Sequence, residues 1–321
     1  MSQSATVVRT VLGDVDAERL GVTYAHEHIV LDSPLIAAAY PHILLDDPSV
    51  AIREVHACAK VGVRTMVDAM PCSSGRDVVR LADISEATKV NIVAVTGLHH
   101  ERYYGPRHWT TKLTAEELAS LFIDDLVLGV DAFDYTGPVV RRTSHRAGLI
   151  KVATDGGELN GRDRVLFEAA SIAHAQTGAA ILTHCEGGRG ALQQVVALTA
   201  LGVAPSAILL SHTDKVADHS YHLEIAKTGA WLLFDQAIRQ VADSRPHTAE
   251  LIARLSAEGF LGRLLIGTDG ARRDLWEAYG GHPGLSWLAS EFPRALADHG
   301  LLSQDIDQLM VRNPAKALAL R

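Results

Sequence analysis

Eight apolar segments recur along the chain, and they limit most narrowly how it can fold. They end at residues 28, 68, 97, 151, 184, 212, 235 and 269, at intervals of 23 to 54 residues. Each interval can hold one crossover helix, and this alternation is typical of parallel strands covered on both faces. It predicts an α/β fold, a (β/α)8 TIM barrel that forms one domain over residues 1–321. A doubly wound open sheet is the alternative, but it would be favoured by a glycine-rich phosphate turn after the first strand, which the sequence lacks.

The first of these segments, residues 21–30, carries His26 and His28 two residues apart. In a strand, residues i and i+2 point to the same face, so we expect both imidazoles to aim at one point while Glu27 points the other way. Two neighbouring neutral imidazoles suit a metal ion better than a general-base pair. Taken alone, the pattern also fits a chance pair of surface histidines.

Four further residues that can bind or bridge a metal lie at the ends of later segments: Lys151, His184, His212 and Asp269. Because the carboxyl ends of barrel strands meet at one mouth, we expect all six side chains to converge there. Each residue has a simpler interpretation on its own. Lys151 fits a lysine that extends to solvent, Asp269 fits a turn or helix cap, and each histidine fits a hydrogen-bonded core residue. The joint pattern favours a metal centre.

Several short motifs give the chain a resemblance to the phosphotriesterase family of the amidohydrolase superfamily. They are Thr23-Tyr-Ala-His-Glu-His, Gly148-Leu-Ile-Lys, Thr183-His-Cys, Ser211-His-Thr-Asp, Gly267-Thr-Asp and the closing Arg312-Asn-Pro-Ala, and they span nearly the whole chain. The resemblance implies two divalent metal ions. It assigns His26, His28 and Asp269 to a more buried ion, and His184 and His212 to a more exposed one. Zinc is the expected metal, with manganese and cobalt as alternatives.

The same resemblance implies that Lys151 is carboxylated on its amine to N6-carboxylysine and bridges the two ions together with a hydroxide. An ammonium inside an apolar strand is costly, which favours the neutral amine that can add carbon dioxide. Two cations would stabilise the carbamate and lower the pKa of the bridging water. Asp269 would bind one ion and accept a proton during the attack. We therefore expect catalysis to depend on Lys151 and Asp269.

Basic residues follow several strand ends and suggest an anionic substrate. The set comprises Arg76, His99, His100, Arg102, Arg189, Arg239 and Arg272. Loops at this face of a barrel form the substrate pocket, and guanidinium groups bind carboxylates and phosphates. We expect substrate contacts from His99, Arg102, Tyr103, Arg239 and Arg272. The alternative is that the arginines pair with acids at the surface.

Members of the family that the motifs indicate hydrolyse organophosphate triesters, lactones, other carboxylic esters and some amides, and a shared metal centre does not distinguish them. The short segment after Asp269 and the basic loop after the third strand favour a hydrolase of a small polar or anionic lactone or carboxylic ester. One alternative is an organophosphate triester hydrolase, an aryldialkylphosphatase. The other is a catalytically silent barrel that only binds a ligand.

Composition excludes several other classes of protein. The net charge of −8 argues against binding to nucleic acid or to an anionic membrane. The sequence shows neither an apolar run long enough to cross a membrane nor a secretory signal. Its three cysteines are an odd number without close pairing, which fits a reducing compartment. We therefore expect a cytoplasmic enzyme with a small-molecule substrate, and a homodimer as the commonest assembly of such enzymes.

Overall fold

A two-stranded hairpin leads into the fold in the computed structural model, which describes residues 6–105 and 107–321. Strand β1 (Val7–Thr10) pairs antiparallel with β2 (Gly13–Asp16). The N–H of Val11 then donates to the carbonyl of Ile92, 2.8 Å away, at the start of a barrel strand. The hairpin therefore lies against the amino-terminal end of the barrel, away from the end where ligands bind in such folds.

Eight parallel strands follow and form the predicted barrel. They are β3 (Val22–Glu27), β4 (Val63–Asp68), β5 (Asn91–Gly97), β6 (Leu149–Thr154), β7 (Ile181–Cys185), β8 (Ile208–Ser211), β9 (Trp231–Phe234) and β10 (Leu264–Ile266). Each strand pairs with the next one along the chain. Just after β10, the N–H groups of Thr268 and Asp269 donate to the carbonyl of His26 in β3, at 3.2 and 3.0 Å. The last strand thus meets the first, and the predicted (β/α)8 class is confirmed.

Two glycines allow the strand ends to approach each other closely. A Cβ on Gly267 would lie 2.6 Å from the carbonyl oxygen of His26, so a side chain there would push β10 away from β3. Gly97, at the end of β5, has a φ of +94° and would place a Cβ 1.9 Å from the carbonyl oxygen of Lys151. Glycine adopts this conformation without a steric penalty. Both residues therefore hold site-bearing segments in position.

Helices connect the strands and cover the outside of the barrel. They are α1 (Pro34–Ala39), α2 (Pro48–Lys60), α3 (Val78–Thr88), α4 (Ala115–Val127), α5 (Gly161–Thr177), α6 (Ala191–Ala200), α7 (His219–Lys227), α8 (Thr248–Ala257), α9 (Trp287–Ser290), α10 (Phe292–Asp298), α11 (Ser303–Asp307) and α12 (Asn313–Ala317). Side-chain caps fix the first residues of several helices. One example is the capping box between Thr114 and Glu117 at the start of α4. None of the helices in the described ranges combines the length and apolar character that a bilayer crossing requires.

Aliphatic side chains fill the barrel interior below the mouth. Leu182, Leu209, Leu233 and Leu265, from four successive strands, are fully buried there. Each buried leucine contributes roughly 1.5–3 kcal/mol relative to an exposed one. A second, larger apolar cluster lies between the strands and the helices. The interior is thus a packed core, and polar chemistry is confined to the barrel ends.

Candidate metal centre

Six polar side chains from five strands meet at the carboxyl end of the barrel. They are His26 in β3, His28 just after it, Lys151 in β6, His184 in β7, His212 after β8 and Asp269 after β10, and each is at most 8% exposed. The sequence predicts that these six residues converge, and the structure places them around one buried region. Their arrangement divides into two clusters, described below.

The first cluster consists of His26, His28 and Asp269. Nε2 of His28 lies 3.4 Å from Oδ1 of Asp269, and Nε2 of His26 lies 3.9 Å from the same oxygen. Burial lowers the pKa of His26 to about 3, so its ring is neutral and can offer a lone pair. Burial alone would raise the pKa of Asp269, but the guanidinium of Arg239 and the neighbouring histidines hold it well below its usual value. The cluster thus combines neutral nitrogen donors with an ionised carboxylate.

Glu27, between the two histidines, points to the opposite side of β3, as the alternation of a strand predicts. Its carboxylate accepts hydrogen bonds from the N–H of Thr268, at 2.7 Å, and from the hydroxyl of the same residue. Burial raises the pKa of Glu27 to about 8. Glu27 therefore anchors the segment that carries Asp269 instead of joining the first cluster.

The second cluster places two ring nitrogens face to face. Nδ1 of His184 lies 2.9 Å from Nε2 of His212. The other nitrogen of each ring contacts a carboxylate: Nε2 of His184 is 2.8 Å from Glu186, and Nδ1 of His212 is 2.9 Å from Asp235. Because a carboxylate accepts hydrogen bonds, a neutral ring carries its proton on the nitrogen that contacts it. The two nitrogens that face each other, Nδ1 of His184 and Nε2 of His212, then each carry a lone pair and no proton.

Two lone pairs at this distance repel each other unless a cation binds both. Burial lowers the pKa values of His184 and His212 below their ordinary value, so neither ring gains a second proton at neutral pH. Nε2 of His26 and Nζ of Lys151 are buried and have no hydrogen-bond partner among the described residues. Nitrogen and carboxylate donors of this kind suit zinc and similar divalent ions. The residues present therefore fit a metal centre.

Asp235, the residue after β9, connects the two clusters. Its Oδ1 lies 2.9 Å from Nδ1 of His212, and its Oδ2 lies 3.0 Å from Nδ1 of His26. Asp235 is fully buried, and Asp214 accepts its backbone N–H at 3.1 Å. One carboxylate thereby contacts one histidine from each cluster. An aspartate at a strand end can also be a helix cap, but the N-cap of the turn that follows is Gln236, and no side chain caps it.

Lys151 lies in the middle of β6 and is 1% exposed. Burial lowers the pKa of its amine from 10.5 to about 8. A much larger fraction of this amine is neutral at pH 7 to 8 than of a solvent-exposed lysine. The alternative of a lysine that extends to solvent is wrong.

A cavity of about 240 Å³ opens above the two clusters. Its lining includes all five residues predicted to contact substrate: His99, Arg102, Tyr103, Arg239 and Arg272. Its volume is below the roughly 300–1,000 Å³ of pockets for drug-sized ligands, so it suits a small molecule. A larger groove of about 900 Å³ lies between the amino-terminal hairpin and the carboxyl-terminal helix, and none of the six convergent residues lines it.

Three of the four cationic side chains in the cavity lining are already paired. Arg102 contacts Glu186 at 2.7 Å, Arg239 contacts Asp269 at 3.0 Å, and Arg272 pairs with the exposed Asp274. The fourth is Lys215, which sequence reasoning missed although it lies three residues after His212. It has no acidic partner within 4.0 Å in the described part of the chain. Its ammonium is therefore the cation most available to a ligand.

Three basic residues that follow strand ends do not line the cavity: Arg76, His100 and Arg189. Arg76 is buried and pairs with Asp125 and Asp134, at 3.0 and 2.6 Å. His100 forms a further possible metal group with His184 and Glu186. The guanidinium of Arg102 already occupies the Glu186 carboxylate, however, and its positive charge opposes a metal ion at that point.

Comparisons with known proteins show which family the chain belongs to. The family model described as Phosphotriesterase family matches residues 6–318. The chain belongs to the phosphotriesterase family. A phospho-furanose lactonase of Mycoplasmopsis agalactiae is 32% identical over 323 residues, covering 97% of this chain and 91% of that protein. Like its relatives in the phosphotriesterase family, the chain is a hydrolase that acts on ester bonds.

Solved structures agree with this assignment to the phosphotriesterase family. An amidohydrolase from Mycoplasma synoviae superimposes with a TM-score of 0.93 and 28% identity, covering 99% of this chain and 93% of that one. A lactonase from Listeria monocytogenes gives a TM-score of 0.90 and 27% identity, covering 98% and 100%. The family uses a metal centre, and the two clusters described above are its candidates in this chain.

Proposed function

We propose that the chain is a binuclear metal-dependent lactonase whose substrate is a small lactone that carries an anionic group, with phosphorylated furanose lactones as the leading class. The observation that carries the proposal is the combination of two histidine clusters with a small cavity lined by cations. The phospho-furanose lactonase named among its relatives supports the same substrate class.

Each member of the centre has a proposed role. His26, His28 and Asp269 would hold the first ion, and His184 and His212 the second. Lys151, once carboxylated, would bridge them, since its neutral amine can add carbon dioxide and its Nζ has no hydrogen-bond partner in the described ranges. When bound, zinc, manganese or cobalt would supply an activated water and polarise the substrate carbonyl.

The protein groups would then direct the hydrolysis. Asp269, ionised and buried, would accept the proton released as the water oxygen bonds to the carbonyl carbon. The ring C–O bond would break next, and its oxygen would take up the proton that Asp269 accepted, which gives a hydroxy acid. Asp235 and Glu186 would keep the tautomers of His26, His212 and His184 fixed. Because these contacts are already in place before the substrate reacts, the histidines would not have to rearrange during the reaction.

Recognition of the anionic group would fall to Lys215 and Arg272 at the edge of the cavity. Lys215 has no competing acid, and the pair between Arg272 and Asp274 is largely exposed, with side chains 49% and 60% accessible. Exposed pairs are weak, so a phosphate could replace Asp274 at little cost. Arg239 would serve mainly to hold Asp269, because it also donates to the carbonyls of Thr268 and Asp269.

A substrate screen of the metal-loaded protein tests the proposal. The panel contains a furanose 1,4-lactone 5-phosphate, the same lactone without phosphate, an aryl ester and a paraoxon-type triester. We expect kcat/KM for the phosphorylated lactone to exceed that for its neutral counterpart by about 10²-fold. This ratio corresponds to the free energy of one or two charge-assisted hydrogen bonds to the phosphate. Triester turnover far above that of all lactones, or no hydrolysis by protein that holds two ions, would contradict it.

The bridging role of Lys151 has a separate test. We expect Lys151→Ala to hold fewer than two ions per chain and to lose activity, because the carbamate is absent. Short carboxylic acids such as formate or acetate should partly restore both properties by replacing it. Metal analysis together with lactone hydrolysis measures this outcome, and full activity without added acid would reject the role.

A further inference from the structure

His99, at the start of the loop after β5, is held from three sides. Its backbone N–H donates to the hydroxyl of Tyr104 at 2.8 Å. Its ring packs edge-on against Tyr103, with centroids 4.4 Å apart, and lies 4.9 Å from the ring of His184. The residue is 9% exposed and lines the cavity above the metal clusters. Its ring therefore has little freedom to reorient.

One hydrogen bond determines which ring nitrogen of His99 carries the proton. The backbone N–H of His100 donates to Nδ1 of His99 at 2.8 Å. A nitrogen that accepts a hydrogen bond presents a lone pair, so the proton of the neutral ring lies on Nε2. A ring whose Nδ1 accepts this hydrogen bond is neutral, because an imidazolium carries a proton on both nitrogens. Within the described ranges, Nε2 has no hydrogen-bond partner.

We propose that His99 is a catalytic residue whose Nε2–H donates a hydrogen bond to the carbonyl oxygen of the substrate as that oxygen gains negative charge. The inference rests on the proposed function for the identity of the substrate. The proposed function gives the second ion to His184 and His212, so the substrate carbonyl oxygen would lie on their side of the cavity, and His99 lies against His184. A fixed donor aimed at an oxygen that becomes more negative stabilises the transition state more than the ground state.

This arrangement separates a hydrogen-bond donor from a general acid. A general acid gives up its proton, but a neutral imidazole that lost the Nε2 proton would become an imidazolate, which is strongly unfavourable in a buried site. His99 therefore keeps its proton throughout the reaction.

Two amide substitutions separate the two ring nitrogens. Glutamine places an amide near the position of Nε2, whereas asparagine places one near Nδ1 and leaves the cavity side without a donor. We expect His99→Asn to lower kcat about 10²-fold or more, the usual effect of removing one such donor. His99→Gln should remain within about tenfold of the parent. Both variants should hold as many metal ions as the parent and melt at a similar temperature.

A readout that does not depend on activity is the tautomer itself. In holoenzyme labelled with ¹⁵N-histidine, the resonances absent from His99→Gln should report a protonated Nε2 and an unprotonated Nδ1. A proton on Nδ1 overturns the proposal. So does a His99→Asn variant as active as the parent, and so does an equal loss of kcat in both variants.

The substrates used in these assays distinguish the two proposals. Because His99 is assigned to the carbonyl, the Asn variant should lose the same factor on a lactone with and without phosphate. If the parent hydrolyses a triester or aryl ester and no lactone, the proposed function fails. The same pair of variants on that substrate then still decides the role of His99, since a P=O or C=O oxygen gains charge in either reaction.

Discussion

At the scale of single residues, the site depends on carboxylates that contact the outer nitrogens of its histidines. Asp235 contacts His26 and His212, and Glu186 contacts His184. The sequence predicts the six convergent residues because each ends a strand and has a side chain suited to metals. It does not single out Asp235, since a lone aspartate at a strand end carries no sign of which ring it faces. The convergence is observed, whereas the roles as ligands stay predictions.

Substitution of Asp235 tests this supporting contact. We expect Asp235→Asn to weaken metal binding about 10- to 100-fold, because an amide no longer favours a proton on Nδ1 of both histidines. Competition with a chelator, followed by metal analysis, measures the change. The exposed Asp298, changed to asparagine, is the matched control and should bind metal like the parent. Equal metal affinity in Asp235→Asn and the parent would show that the tautomers need no such support.

Lys215 provides a test of the anionic substrate. We expect Lys215→Ala to raise KM for a phosphorylated lactone about 10- to 100-fold, which corresponds to the loss of one hydrogen bond to a charged group. KM for the neutral lactone should stay unchanged, and Lys215→Arg should preserve most of the affinity. Steady-state kinetics on the two lactones measures the difference, with the exposed Lys227→Ala as control. The same increase for both lactones would mean that Lys215 does not bind the phosphate.

At the scale of elements, the strands follow from the sequence more closely than the loops do. Apolar runs ending at 68 and 97 become β4 and β5 with the same last residue, because burial on both faces leaves one register. The positions of the basic loop residues follow less directly from the sequence. Arg76 follows β4 as a substrate-binding residue would, yet it pairs with two aspartates from α4 and the loop behind it. Long-range pairs of this kind leave no local sequence pattern.

The buried ion pairs of Arg76 with Asp125 and Asp134 predict that loss of the arginine strongly lowers the stability of the fold. We expect Arg76→Met to lower the free energy of unfolding by about 3–5 kcal/mol, because Asp125 and Asp134 would remain buried without their cation. Urea denaturation measures the loss. Arg80→Met is the control in the next helix, since Arg80 pairs with Asp32 near the surface and should contribute less than about 1 kcal/mol. Similar losses in both variants would show that burial of the network contributes nothing extra.

At the scale of the whole molecule, metal binding should stabilise the closed barrel. The candidate ligands come from β3, β6, β7, β8 and β10, so bound ions would join strands on opposite sides of the mouth. An ion at 1,000 times its Kd adds about 4 kcal/mol to the stability. We therefore expect a chelator to lower the melting temperature, and zinc, manganese or cobalt to restore it. Thermal denaturation before and after reloading measures this, and an unchanged melting temperature would contradict a structural contribution of the metals.

The contact between Glu27 and Thr268 joins residues 241 positions apart along the chain. The first barrel strand and the segment after the last one therefore complete the site together. During translation, the ribosome must release almost the whole polypeptide before Asp269 can reach His26 and His28. A nascent or prematurely terminated chain that lacks this final segment would have no functional centre, so catalytic competence would appear only at the end of synthesis.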